Sequence, residues 1–199
     1  MIQLLKQLRA APNLLTLLRL IFLPFAVIAV LGGHYGWALV IFVVAGISDG
    51  LDGLLARLLE QKTTLGQYLD PIADKLLLST MFLVLSATHK IPWGVTVLVF
   101  SRDTIIVIIC TLLYVTGAMK VFRPSWLGKA NTVAQIVTVL FVLLHEVRSD
   151  AWIAWGRKEG LNVTIALTIL SGVHYVVRVA LDLRHHGAES KAAEGKEST

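Results

Sequence analysis

The stretch SDGLDGLLARLLEQKTTLGQYLDPIADK, residues 48–75, carries four aspartates, Asp49, Asp52, Asp70 and Asp74, between two of the most apolar runs in the chain. A charged side chain at the centre of a membrane helix costs about 2.5–3.5 kcal/mol on insertion scales and less near its ends, so four in one short segment need a compensating partner. Read as helix, Asp49 and Asp52 stand at i and i+3, and Asp70 and Asp74 at i and i+4. Each pair then projects from one face of its own helix. The connection EQKTT, residues 60–64, is short enough to make the two helices antiparallel neighbours.

Four carboxylates converging from two helices form an all-oxygen site suited to hard divalent cations, Mg2+ or Mn2+, and two ions match the charge. Mg2+ usually shares its shell with substrate phosphates, which points to a phosphate-bearing ligand. Gly53 lies one turn after Asp49, Ala56 one turn after Asp52 and Gly66 one turn before Asp70. These small residues keep the site-facing surfaces free of bulk. Arg57 offers a fork-shaped donor for phosphate oxygens, and Pro71 suits the first turn of the following helix. A single aspartate of this kind is as readily an interface anchor or an N-cap, and a single glycine a packing device. The whole constellation argues for a site.

Outward from this stretch the chain is built for a bilayer. Of 199 residues 56% are hydrophobic and only 16% charged, and the mean hydropathy is +0.73, well above a soluble domain of this size. Six apolar windows are long enough to span as helices: Leu14 to Leu31, Tyr35 to Leu55, Pro71 to Ala87, Trp93 to Val115, Leu127 to Leu144 and Leu161 to Leu181. No strand-like alternation competes with them, and backbone groups in lipid must be satisfied internally. The expected class is all-α, a polytopic six-helix transmembrane bundle. Its catalytic domain covers residues 13–184, after an amphipathic interfacial helix over 1–12, where Lys6 and Arg9 oppose an apolar face. A cleaved signal peptide does not fit, because the first apolar run is long enough to span and no small-residue cleavage site follows it. The tail 185–199, HHGAESKAAEGKEST, is small and polar and reads as disordered. Cys110 is the single cysteine and forms no intrachain disulfide.

With both termini on one side, that side collects Lys6, Arg9, Arg57, Lys62, Lys75, Lys120, Arg123, Lys129, Arg184, Lys191 and Lys196, against Lys90, Arg148, Arg157 and Lys158 opposite. The positive-inside rule makes the richer side cytoplasmic, and with it both termini and the acidic stretch. The net charge of +5 is then mostly topology. No nucleic-acid partner is expected, since no basic, solvent-exposed reading element is present.

The pattern D-x2-D-G-x2-A-R-x8-G-x3-D-x3-D is met without a gap by Asp49, Asp52, Gly53, Ala56, Arg57, Gly66, Asp70 and Asp74. It resembles the signature of the CDP-alcohol phosphotransferase family. The similarity extends to PNLLTLLRLIFLPF (12–25), LDPIADK (69–75) and LGKANTVAQ (127–135), which look like that family's first, third and fifth transmembrane helices. The resemblance implies transfer of a phosphatidyl or similar group from a CDP-activated donor such as CDP-diacylglycerol to an alcohol, with release of CMP, by a homodimer in a bacterial-type inner or plasma membrane. It implies two ions held by Asp49, Asp52, Asp70 and Asp74, with Asp49 and Asp70 bridging and Asp74 also the general base. It further implies Gly53, Arg57, Thr63 and Gly66 around the CDP, with Asn13 nearby. Asn13 and Thr63 have the simpler readings of N-cap and loop residue, and Arg19 either snorkels to the interface or faces the cavity.

For the acceptor, Arg102 and Asp103 lie well inside the fourth window, where they either pair with each other or face a site. Lys120, Arg123 and Lys129 form a basic loop able to hold an anionic acceptor or lipid headgroups, or serving topology alone. The Arg102–Asp103 pair and RPSWLGKANTVAQ (123–135) are similar to members that use glycerol-type acceptors. These are the phosphatidylglycerophosphate synthases, acting on glycerol 3-phosphate, and the CMP-forming cardiolipin synthases, acting on phosphatidylglycerol. Cys110 and Thr111 stand where the former often carry a second arginine, which leans toward the cardiolipin-type reaction. Two competing classes are a UbiA-like membrane prenyltransferase, which normally has its Asp-rich motifs far apart, and a cation transporter, which leaves Gly53, Ala56, Arg57 and Gly66 unexplained.

Overall fold

Apolar runs broken by short polar turns give six helices and no strand among the described residues: α1 Ala11–Leu31, α2 Tyr35–Leu58, α3 Thr64–Ala87, α4 Trp93–Val115, α5 Trp126–Val147 and α6 Ala151–Glu197. The computed structural model describes the backbone of residues 11–58, 64–115 and 126–197, and the side chains of 18–48, 75–109, 111–112 and 126–180. The segment 1–10, expected to be an interfacial helix, lies outside the described residues.

Three turns close one end of the molecule. α1 stops at Gly33, whose φ of +73° only glycine adopts at little cost. The Gly33 N–H donates to Val30 O at 3.0 Å and the His34 N–H to Ala29 O at 2.8 Å. This is the Schellman pattern, which satisfies carbonyls that the helix end leaves open. α3 ends the same way at His89, φ +58°, with His89 N–H to Ser86 O at 3.0 Å and Lys90 N–H to Leu85 O at 2.7 Å. A side chain in that conformation costs about 1–2 kcal/mol, which the turn's bonds offset. α6 begins at Asp150, whose carbonyl accepts from the N–H groups of Ile153 and Ala154 at 3.0 Å each.

The helices pack in a closed ring in the order α1, α2, α5, α6, α4, α3, with α3 also touching α5 across it. Buried Ala26, Val30, Phe42, Leu78, Phe82, Leu85, Val99 and Leu143 join five of them in one core. A smaller cluster, Tyr175 and Val179 against Ile106 and Ile109, fastens α6 to α4. Outward the surface is apolar as well: Phe25, Ile28, Val44, Val97, Ile108, Leu170 and Val177 are all exposed. Trp126–Val147 and Ala151–Ala180 are long and apolar enough to cross a membrane, and only 33% and 28% of their windows are buried, so their apolar faces are not used up inside the bundle. Leu18–Leu31, Tyr35–Ser48 and Lys75–Ala87 are apolar over shorter lengths. Trp37, Trp93, Trp152 and Trp155 are exposed at the end where the three turns meet, and Trp126 at the opposite end.

Two boundaries differ from the sequence expectation. α3 begins at Thr64, so Pro71 lies inside it instead of in its first turn. α1 likewise contains Pro24. Each proline removes one intrahelical bond, which neighbouring helices can make good in a packed bundle. α6 starts ahead of the sixth apolar window and continues through 185–197, the stretch that composition reads as an unstructured tail. Ala, Glu, Lys and Arg there are strong helix formers, and extending an existing helix needs no new nucleus.

Candidate active site

The four aspartate positions fall on two consecutive helices, Asp49 and Asp52 in the second half of α2, Asp70 and Asp74 within the first three turns of α3. Both helices pack on α1. Both also line one cavity of about 350 Å3, bounded by Arg19 of α1, Phe42, Ala45 and Gly46 of α2, Leu77 and Leu78 of α3, and Thr132, Ile136 and Leu140 of α5. Ala45 and Gly46 precede Asp49 by four and three residues, and Leu77 and Leu78 follow Asp74 by three and four. Helical register therefore puts positions 49 and 74 one turn from the cavity on the faces that line it. Among the described residues no three His, Cys, Asp or Glu side chains gather as a metal requires, and the four aspartate side chains are not among those described. The positions of Asn13, Gly53, Arg57 and Gly66 lie on α1, α2 and α3. Thr63 and Lys120 lie outside the described residues.

Arg19 is 1% exposed and stands in the cavity wall, so it does not snorkel to the surface. Its guanidinium gives the mostly apolar wall a cationic group.

Arg102 and Asp103 do pair, as one of the sequence readings had it, and the pair belongs to a larger network. Asp103 Oδ1 accepts from Arg102 Nη1 at 2.9 Å, and its Oδ2 accepts from Lys75 Nζ of α3. Arg102 Nε donates to Ser171 Oγ of α6 at 3.1 Å, and Ser171 Oγ donates to Thr168 O at 3.1 Å. Three helices, α3, α4 and α6, are thus tied by polar bonds. Lys75 is the residue after Asp74, so the segment carrying that aspartate is anchored to α4. From sequence Lys75 counts only among the basic residues of one side; the structure pairs it with Asp103. Their positions, nearly equidistant from the α3–α4 turn, are the signal that a hairpin reading would have used.

The α5–α6 seam is polar and neutral. Asn131, Gln135 and Thr138, one face of α5, are buried, as are Thr164, Thr168 and Ser171 of α6. Thr138 and Thr164 hydroxyls bond at 2.8 Å, and Thr168 Oγ1 donates to Asn131 Oδ1 at 3.0 Å. From sequence Asn131 and Gln135 stand out only as part of LGKANTVAQ (127–135), and Thr138, Thr164, Thr168 and Ser171 do not stand out at all, since Thr and Ser in an apolar run carry no pattern of their own. Lys129, two residues before Asn131, is exposed.

Residues 9–179 match the family model for CDP-alcohol phosphatidyltransferase. The chain belongs to the CDP-alcohol phosphatidyltransferase family. Its curated relatives include a probable phosphatidylglycerophosphate synthase of Mycobacterium tuberculosis (strain ATCC 25618 / H37Rv), 37% identical over 178 residues, 86% of this chain and 82% of that one. Proteins named CDP-diacylglycerol--glycerol-3-phosphate 3-phosphatidyltransferase from Salmonella typhimurium (strain LT2) and Escherichia coli (strain K12) are each 34% identical over 179 residues, 86% of this chain and 96% of theirs. This CDP-alcohol phosphatidyltransferase is an enzyme, and its relatives' names are those of phospholipid biosynthesis. Its two long apolar helices agree with membrane association.

Proposed function

We propose that this protein transfers the phosphatidyl group of CDP-diacylglycerol to glycerol 3-phosphate, releasing CMP. The observation that carries the reading is the register of the acidic motif, which runs from the second half of α2 into the start of α3, one turn from a cavity both helices line. The match over residues 9–179 favours phosphatidyl transfer over prenyl transfer and over cation transport. The names of the relatives favour glycerol 3-phosphate as acceptor. Phosphatidylglycerol is the second reading, favoured by Cys110 and Thr111 where a second arginine is often found in phosphatidylglycerophosphate synthases.

The enzyme is a six-span homodimer with both termini and the site on the cytoplasmic side. The tryptophans at the two ends of the bundle support the spanning as interface anchors, and α5 from Trp126 to Val147 is about 30 Å long, the thickness of a bilayer's hydrocarbon core. A donor with lipid tails stays in the bilayer while its pyrophosphate reaches the acidic positions.

The donor set, four carboxylates at helical spacing, fits two hard divalent ions, and the family generally depends on divalent metal. Asp49, Asp52, Asp70 and Asp74 would hold Mg2+ or Mn2+, which when bound would supply charge neutralisation for the pyrophosphate and the departing CMP. Asp74 takes the proton of the acceptor hydroxyl. That oxygen bonds to the phosphatidyl phosphorus as the bond from phosphorus to the bridging oxygen breaks, and CMP leaves with the bridging oxygen. Arg57 grips the pyrophosphate, Gly53 and Gly66 leave it room, and Asn13 and Thr63 border the nucleotide. Arg102, Lys129 and Lys120 receive the acceptor's anionic group.

The test offers the purified protein CDP-diacylglycerol with glycerol 3-phosphate, phosphatidylglycerol, inositol phosphate or serine, and identifies the lipid product. Phosphatidylglycerophosphate with stoichiometric CMP is expected; a product from serine or inositol phosphate alone removes the glycerol-type assignment.

A further inference from the structure

Two cations share one carboxylate between α3 and α4. Asp103 accepts from Arg102 Nη1 through Oδ1 and from Lys75 Nζ through Oδ2, so both of its oxygens are engaged and the three side chains together carry one surplus positive charge. Donors are in surplus as well. An ammonium has three N–H groups and a guanidinium five. Among the described residues Lys75 bonds only to Asp103, and Arg102 spends Nε on Ser171 of α6 and Nη1 on Asp103, with Nη2 left over. Side-chain exposure is 44% for Lys75 and 15% for Arg102, so neither head is sealed in by packing.

A surplus cation in an apolar bundle is costly unless an anion meets it. Position says which anion. Lys75 directly follows Asp74, so its Cα lies about 3.8 Å from that of the residue that takes the acceptor's proton in the reading above. One turn further along the same face of α3, Leu78 lines the cavity. From the other side Arg102 reaches α6, so the two cationic heads stand where α3, α4 and α6 meet, beside the acidic segment.

We propose that Lys75 is an acceptor-binding residue, forming with Arg102 a two-cation seat for the acceptor's phosphate, with Asp103 holding both heads at one point. The inference deepens the phosphatidyl-transfer reading and rests on it. With the reacting hydroxyl of a glycerol unit at Asp74, the phosphate at the other end of that unit falls within the span of a lysine on the next residue. Glycerol 3-phosphate carries it as a monoester and phosphatidylglycerol as a diester, so the seat has the same chemistry for either source.

The test measures initial rates of CMP release from CDP-diacylglycerol by the purified full chain in detergent, with glycerol 3-phosphate varied in one arm and phosphatidylglycerol in the other. Lys75→Met removes the charge and the bond to Asp103. Lys75→Gln removes the charge but keeps a neutral donor for Asp103, and answers if the methionine variant does not fold. In the arm that the wild type uses, acceptor KM rises about ten- to hundredfold in the neutral variants, the range for a hydrogen bond to a charged group, while KM for CDP-diacylglycerol stays unchanged. Lys75→Arg, which keeps the charge, recovers most of the loss. Anchoring of α3 alone would lower kcat or the melting temperature and leave acceptor KM where it was; that result, or acceptor KM raised in step with donor KM, overturns the inference alone. Wild-type CMP release that neither acceptor stimulates overturns the phosphatidyl-transfer reading and this inference with it.

Discussion

The two ends of the bundle are held in different ways. Where the three turns meet, Lys90 is the centre of a clasp: its Nζ donates to Glu146 Oε2 at 2.5 Å and lies 5.1 Å from the centre of the Tyr35 ring. Arg157 Nη2 donates to the Lys90 carbonyl at 2.8 Å, and Arg157 Nη1 lies 3.4 Å from His145 Nδ1. Helices α2, α5 and α6 and the α3–α4 turn are joined there by bonds between neighbours, and Gly156 of α6 is packed against the Phe141 ring. Toward the acidic positions the described joints are made by other residues. Lys75, Asp103, Arg102 and Ser171 tie α3, α4 and α6, and α1, α2, α3 and α5 border the cavity. The described joints thus fall into two sets, one at the turns and one beside the segment that carries Asp74.

That contrast predicts a separation of effects. Asp74→Asn should produce the largest, a loss of turnover of about 10²–10⁴-fold, the usual worth of a general base, with donor binding largely intact. CMP release and CDP-diacylglycerol binding measured together decide it, and near wild-type turnover removes Asp74 from the proton-transfer role. Asp103→Asn comes next. It deprives Lys75 and Arg102 of their shared carboxylate, and because Lys75 is 44% exposed the stability cost is about 1–3 kcal/mol, below that of a fully buried pair. Turnover should fall with it, since α3 carries Asp74. A melting shift without any change in turnover would mean that the Lys75 anchor does not serve the site.

At the clasp the expected sign of the separation reverses. A Cβ on Gly156 would come within 2.3 Å of Phe141 Cε1, and that ring also meets Trp152 edge-on at 6.3 Å, so it cannot swing freely. Gly156→Ala should destabilise by about 1–3 kcal/mol, the range for overpacking, and leave KM for both substrates unchanged. Altered KM would show that α6 transmits strain from one end to the other.

The helices were legible because hydropathy and spacing follow from local sequence: the starts of α2 and α4 fall where the apolar windows do. The start of α3 and the two ends of α6 were less so. Pro71 reads as a helix start only if its missing N–H must be an unneeded one, and in α3 it is not. The helical spacing of the four aspartates was visible in the sequence, while their side chains are not among those described, and the Arg102–Asp103 pair was visible as adjacent opposite charges. Lys75 joining them was not, since it lies 28 residues from Asp103 and depends on how α3 and α4 align. The bond of Asn131 to Thr168 was hidden likewise, since its partner is 37 residues away.

The smallest effect belongs to the Lys90–Glu146 bond. The Glu146 carboxylate, accepting a hydrogen bond from the ammonium, raises the Lys90 pKa above its ordinary 10.5, against the opposing pull of burial. A group whose folded pKa is raised contributes stability that is complete below its unfolded value and is lost as pH rises through the folded one. The clasp should therefore be intact at neutral pH and weaken above pH 10.5. Glu146→Gln removes the source of the shift, so at neutral pH it should lower stability by no more than about 1 kcal/mol, because Lys90 keeps 29% side-chain exposure and water screens the pair. Melting temperatures in detergent from pH 8 to about 11.5 should show the wild type losing its advantage over Glu146→Gln as Lys90 deprotonates. Parallel curves would mean that the turns are held by the backbone caps at Gly33 and His89 and by Arg157, and that the ion pair contributes position without stability.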